Sequence, residues 1–217
     1  MTATRAVLWD MDGTLVDSAD YHWQAWRDTM AHEGRPITHD QFLAGFGQRN
    51  DSILRQWLGV EATPGLIERV GDTKEALYRQ HVRLRGIEPL PGASQWVRRL
   101  HQQGWSQAIA SAAPRKNVET ILEALHTADC FEAIVSAEDV RRGKPDPEVF
   151  LVAAAKLNVP PRHCIVVEDA LHGIEAARAA GMKSIGITRD RKHLPSNLAT
   201  HSLAELAPGA FDDLLLS

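Results

Sequence analysis

One stretch near the start limits what this chain can fold into. Arg5-Ala6-Val7-Leu8-Trp9 is a short apolar run, and Asp10-Met11-Asp12-Gly13-Thr14 ends it with two acids, a glycine and a hydroxyl. An apolar run of that length, closed by a turn signal, reads as a buried strand. A carboxylate buried at a strand end is costly unless something pairs with it or binds it. Two such groups one residue apart resist joint ionisation. A divalent cation relieves both difficulties. Asp10 and Asp12 are therefore candidate site residues, set against the plainer reading of turn or helix-capping aspartates.

Along the chain, two patterns follow one another. From Asp20 to about Gly86 every segment reads as helix. Trp23, Trp26 and Met30 recur at spacings of three and four, Gly34-Arg35-Pro36 interrupts, a short helix can begin near Thr38, and Ile53, Leu54, Trp57 and Leu58 form a second apolar stripe. The three tryptophans are read as the core of this segment rather than as a substrate platform. Leu66 to Gly86 is again helical in pattern. After Pro89-Leu90-Pro91-Gly92, strands and helices alternate: strands at Ser106–Ala110, Phe131–Ser136, Cys164–Val167 and Lys183–Ile187, a weak one near Thr200, and a late helix starting at Leu203. Alternation of this kind implies an α/β fold, a doubly wound parallel sheet. Residues 1–16 and 89–217 would form that core, with 17–88 inserted as a small all-helical cap.

Ligands of such sheets bind at the carboxyl ends of the strands. Asp10 and Asp12 end one strand, Ser111 follows another, and Glu168-Asp169 closes a third. Lys144 lies in the rigid turn Gly143-Lys144-Pro145-Asp146-Pro147. Asp169 also stands where it can cap the helix that begins at Leu171. Four carboxylates, a lysine and a serine hydroxyl at one sheet edge fit a phosphate site with a hard cation, and Mg2+ favours such oxygen ligands. A carboxylate can take a phosphoryl group, a second acid can move the protons, and Ser111 and Lys144 can hold the equatorial oxygens.

These residues resemble, in order along the whole chain, the four motifs of the haloacid dehalogenase superfamily. The resemblance implies a Rossmann-like core, Asp10 as nucleophile and Asp12 as general acid/base. It implies Mg2+ held by Asp10, Glu168, Asp169 and the backbone carbonyl of Asp12. An aspartate at position 12 favours phosphoryl transfer over dehalogenation. Within that superfamily, Asp17-Ser18-Ala19-Asp20-Tyr21-His22-Trp23 is similar to the cap entry of the β-phosphoglucomutases. That likeness implies substrate-site roles for His22, Lys74 and Arg49, with Arg49 gripping a distal phosphate. The same likeness implies substrate-contacting positions for Thr14 and Ala112. Thr14 stands where mutases often carry valine, and Ala112-Ala113-Pro114-Arg115-Lys116-Asn117 departs from the mutase loop by substitution and insertion.

Bulk properties bound the rest. The 217 residues allow one large domain or a core with a small insert. The formal net charge of -4 gives no basic surplus for nucleic acid or an anionic membrane. Cys130 and Cys164 form no metal pattern and read as reduced, buried residues. No apolar run approaches the roughly 20 residues that span a bilayer, and the opening residues carry no secretion signal pattern. The expectation is a cytoplasmic, monomeric phosphohydrolase of small phosphorylated metabolites, chiefly sugar phosphates. A β-phosphoglucomutase is the alternative, and a non-catalytic phosphate- or partner-binding module the remote one.

Overall fold

The computed structural model describes residues 5–189 and 193–216. Its strands are β1 (Ala6–Trp9), β2 (Ser106–Ala110), β3 (Ala133–Val135), β4 (Cys164–Glu168), β5 (Lys183–Ile187) and β6 (Leu198–Thr200). They form one parallel sheet in the order β3-β2-β1-β4-β5-β6. The opening stretch is thus the central strand. Its residues are fully buried on both faces, as a central parallel strand requires. Side chains alternate across it. Val7 and Trp9 join a cluster with Ile109, Ile165 and Val167, while Ala6 and Leu8 join Ala108, Ala110 and Val166 on the other face.

Helices α1 (Ala19–His32), α2 (His39–Gly45), α3 (Asn50–Leu58) and α4 (Pro64–Arg85) fill the insert. Trp26, Met30, Phe42, Leu54, Leu58, Ile67 and Val70 give it an apolar core of its own. The remaining helices, α5 (Ala93–Gln102), α6 (Arg115–Leu125), α7 (Glu148–Lys156), α8 (Leu171–Ala179) and α9 (Ala210–Leu216), belong to the sheet layers. The two connections to the insert run side by side. Leu90 N–H donates to Leu15 O at 2.8 Å, Val16 bridges Pro89, and Tyr21 Oη donates to Gly86 O at 2.6 Å.

Two elements differ from the sequence expectation. The late helix does not start at Leu203. A single 3-10 turn, Leu203–Glu205, comes first, and Pro208-Gly209 separates it from α9. The strand expected over 131–136 shortens to β3, whose neighbours turn away at the sheet edge. Among the described residues no helix is long and apolar enough to cross a membrane. Both cysteines are buried and free.

Candidate active site

The register places the chemistry at one edge. Trp9 lies between Ile109 and Val167, so the chain leaves β1, β2 and β4 at the same level. Asp10 N–H donates to Val167 O and Ser111 N–H to Val135 O, each at 3.0 Å, which extends the ladder by one residue before the side chains turn into a cleft. That cleft, about 870 Å3 counting its open mouth, is lined by Asp10, Asp12, Ser111, Ala112, Lys144, Glu168 and Asp169 from the core. The insert contributes His22, Trp26, Phe42, Phe46, Lys74 and Glu75.

Two glycines make the approach possible. Gly13 adopts φ +92°, and a Cβ there would lie 2.1 Å from Asp169 Oδ2. A Cβ on Gly173 would meet the Glu168 carboxylate at 2.1 Å. The first lets the Asp10–Asp12 turn pass close to Asp169; the second leaves room for Glu168 over the start of α8. Glu168, rather than Asp169, serves the amides ahead of that helix: its Oε1 accepts from Asp169 N–H at 3.1 Å and Ala170 N–H at 3.0 Å.

Asp10, Glu168 and Asp169 each offer an oxygen within 4.8 Å of the others. Lys144 Nζ donates to Asp10 Oδ1 at 2.6 Å and to Glu168 Oε2 at 2.7 Å. One ammonium thus faces three carboxylates. Burial, then the neighbouring Glu168 charge, pushes Asp10 up to about 8, and Asp169 rises for the same two reasons with Asp10 adding to them. Burial alone would lower Lys144, but the Asp10 and Glu168 carboxylates outweigh it and raise it. The residual repulsion and the all-oxygen donor set suit a hard divalent cation.

The Asp12 carboxylate is absent from that trio. It turns toward the insert, accepting from Ser18 Oγ and lying 3.3 Å from His22 Nε2. Lys74 Nζ donates to His22 Nδ1 and to Glu75 Oε1, both at 2.7 Å. Lysine has only donors, so Nδ1 accepts and Nε2 carries the hydrogen directed at Asp12. Burial would raise Asp12, but His22, Ser18 and Lys74 together hold it below the ordinary carboxylate range. The two aspartates of one turn therefore differ in protonation tendency.

Ser111 is buried and accepts from Ala113 N–H at 3.1 Å, leaving its hydroxyl hydrogen to donate elsewhere. Ala112 lines the cleft. Thr14 and Arg49 are not brought to its wall. Thr14 is fully buried, with no hydrogen-bond partner for Oγ1 among the described residues. Arg49 donates from Nη1 to Ala137 O at 2.6 Å and Val140 O at 3.2 Å, and from Nε to Asp51. Trp26 belongs both to the insert core and to the cleft wall. Sequence reasoning gave no place in the site to Ser18, Asn50, Glu75 or Asn117; Asn50 was expected as a helix cap, but the helix begins on it and Arg49 precedes it as the cap. Only the Lys74-Glu75 adjacency hinted at one of them, and the others become partners only through the fold.

Comparison with known proteins agrees with this geometry. Residues 7–187 match the family model described as haloacid dehalogenase-like hydrolase, and the chain belongs to that family. It is 31% identical over 208 residues to the β-phosphoglucomutase of Bacillus subtilis, covering 93% of this chain and 91% of the relative. It is 33% identical over 212 residues to hexitol phosphatase B of Escherichia coli O157:H7, covering 93% of each. The crystal structure of β-phosphoglucomutase from Clostridium difficile superposes with a TM-score of 0.88 at 28% identity, over 98% of this chain and 97% of that one.

Proposed function

We propose that the chain is a Mg2+-dependent phosphomonoester hydrolase of small phosphorylated metabolites, with sugar phosphates as the main class. The observation that carries this reading is the edge of β1. There Asp10 stands in a three-carboxylate cluster held by Lys144, while Asp12 faces away into a separate hydrogen-bonded chain. The relatives' names, a hexitol phosphatase and a β-phosphoglucomutase, support phosphorylated sugars or polyols as the ligand class.

In this mechanism Asp10, Glu168, Asp169 and the Asp12 carbonyl would hold the cation. When bound, it neutralises the carboxylates and the incoming phosphate dianion. An Asp10 carboxylate oxygen attacks phosphorus, the P–O ester bond breaks, and Asp12 gives its proton to the departing alkoxide. Water then attacks the aspartyl phosphate, Asp12 takes its proton, and phosphate leaves Asp10 free. His22 and Ser18 orient Asp12, favouring the ionised state needed for the second half. Lys144 and Ser111 stabilise the equatorial oxygens. Residues 17–88 close over the site and keep bulk water out.

The mutase reading is favoured by one observation: His22 and Lys74, both given substrate-site roles by that resemblance, meet in a chain that ends on Asp12. It differs only in the acceptor, a sugar hydroxyl in place of water. A paired assay separates them: protein with Mg2+ receives β-glucose 1-phosphate and a trace of the 1,6-bisphosphate, and glucose 6-phosphate and free phosphate are measured together. Free phosphate without isomerised product is the expected result. Rapid glucose 6-phosphate formation with little free phosphate would overturn the hydrolase reading.

A further inference from the structure

Helix α4 carries most of what orients Asp12. Lys74 Nζ donates to His22 Nδ1, Tyr78 stacks on the His22 ring with centroids 4.0 Å apart, and Glu75 Oε1 accepts from Lys74 at 2.7 Å. Lys74 and Tyr78, four residues apart, share one side of α4, and Glu75 and Arg79 stand beside them. All four belong to the insert, as does His22, whereas Asp12 belongs to the core. His22 therefore faces Asp12 in the right orientation only where α4 is held in register with the core.

That register is set by one amide. Asn117 lies in the first turn of α6, just past the loop that carries Ser111, and is 1% exposed. It does not line the cleft, whereas Glu75 does. Its side chain is clasped from both ends by α4: Nδ2 donates to Glu75 Oε2, and Oδ1 accepts from Arg79 Nη1 at 2.9 Å. A carboxylate and a guanidinium four residues apart match the donor and the acceptor of a single amide. Asn50 Nδ2 donates to Glu75 Oε1 at 2.7 Å and steadies the other oxygen. Hydrogen bonds thus run from core to core through the insert, from Asn117 by way of Glu75, Lys74 and His22 to Asp12. Lys74 balances the charge of Glu75, so the part Glu75 plays in this line is geometric.

We infer that Asn117 is a positioning residue for the general acid/base: by fixing Glu75 it aligns Lys74 and His22 with Asp12, so that proton transfer is competent where the insert is seated on α6. This rests on the hydrolase reading and deepens it. Asn117 acts through the line of hydrogen bonds and not on the substrate. Its loss leaves Asp10, Lys144 and Ser111 in place and weakens one event, the passage of the Asp12 proton to the departing oxygen as the P–O ester bond breaks.

The test uses the leaving group. A sugar alkoxide needs that proton as it departs, whereas p-nitrophenolate leaves without it. Wild type, Asn117→Leu and Asn117→Ala are compared with Mg2+ present on p-nitrophenyl phosphate and on a sugar monophosphate, fructose 1-phosphate or glucose 6-phosphate, whichever wild type turns over faster. Both variants should lose about 10–30-fold in kcat/KM on the sugar phosphate and less than about 3-fold on p-nitrophenyl phosphate. Arg79→Gln removes one half of the clasp at a half-buried side chain and should show the same split at a smaller size. If neither Asn117 variant folds, Arg79→Gln decides the matter by itself. Parallel losses on the two substrates would show that Asn117 only holds the structure together, and they overturn the inference while the hydrolase reading stands. Unchanged kinetics in a folded Asn117 variant overturn it as well. A wild-type protein that releases phosphate from none of these substrates overturns the hydrolase reading and the inference with it.

Discussion

Two buried charge clusters face each other across the cleft, and they are built on opposite terms. On the core side, Asp10, Glu168 and Asp169 share a single ammonium, Lys144. On the cap side, Asp12, His22, Lys74 and Glu75 form a chain in which Lys74 pairs with Glu75, the uncharged His22 links Lys74 to Asp12, and each carboxylate has neutral donors as well. The first cluster is short of positive charge and suits a hard cation. The second is complete as folded and serves to fix orientation. Burial affects them accordingly: it pushes Asp10 and Asp169 up, whereas the partners of Asp12 and Glu75 overcome it and hold both down.

The sharpest way to break this comparison is to remove the group the core cluster is arranged around. Asp10→Asn keeps the shape, relieves repulsion with Glu168 and takes away the proposed nucleophile. Phosphate release should fall by about 10^4-fold or more, while the fold is retained or gains stability. Measured activity within a factor of ten of wild type would show that Asp10 is structural and that the cluster has another purpose.

The two lysines give the next contrast. Lys74→Met strands the buried Glu75 carboxylate and removes the donor that sets the His22 tautomer. Breaking a buried pair from one side costs about 3–5 kcal/mol, which for a chain of this size lowers Tm by roughly 6–20 °C. Mg2+ should not restore it, since that carboxylate lies outside the Asp10, Glu168 and Asp169 cluster. Lys144→Met leaves Asp10, which burial and the neighbouring Glu168 already push toward its protonated form, so its cost without metal at neutral pH is smaller. Excess Mg2+ should recover much of it by replacing the lost positive charge. Differential scanning fluorimetry of both variants, with and without Mg2+, checks the pair. Equal losses with equal rescue would mean that the two clusters do not differ in the way described.

Legibility in the sequence follows the same division. The core cluster was readable because its members end strands, and a parallel sheet aligns strand ends without further information. Asp10, Ser111 and Glu168-Asp169 needed only correct strand assignments to be brought together, and Lys144 a rigid turn between them. The insert was readable as helices, since apolar spacing marks α1, α3 and α4, but not in what its polar groups would touch. Arg49 reaches carbonyls 88 and 91 residues away, and Glu75 reaches Asn117 across 42 residues. No local pattern encodes such pairings. Thr14 is instructive in another way: the turn that presents Asp10 and Asp12 continues inward to Leu15 and Val16, so its hydroxyl is carried into the core instead of the cleft.

The last contrast is in pH, and it separates the clusters without any substitution. Asp10, at about 8 in the fold against an ordinary 3.8, keeps its proton over a range where the unfolded chain has lost it. The folded protein then binds more protons, so metal-free stability from this group falls as pH rises from about 4 toward 8. Asp169 acts in the same direction. Asp12 and Glu75 act oppositely, since their folded values lie below the ordinary ones. Their contribution is present above about pH 4.5 and is lost on acidification below it. A divalent cation competes with the protons of the core cluster only. The Mg2+-induced rise in Tm should therefore grow steadily from pH 5.5 to pH 8, with a gain of a few degrees across the range, while the acid limb below pH 4.5 stays independent of Mg2+. A Mg2+ increment that is flat or shrinks with rising pH would place the cation away from Asp10 and Asp169. An acid limb that moves with Mg2+ would mean that the two clusters titrate as one.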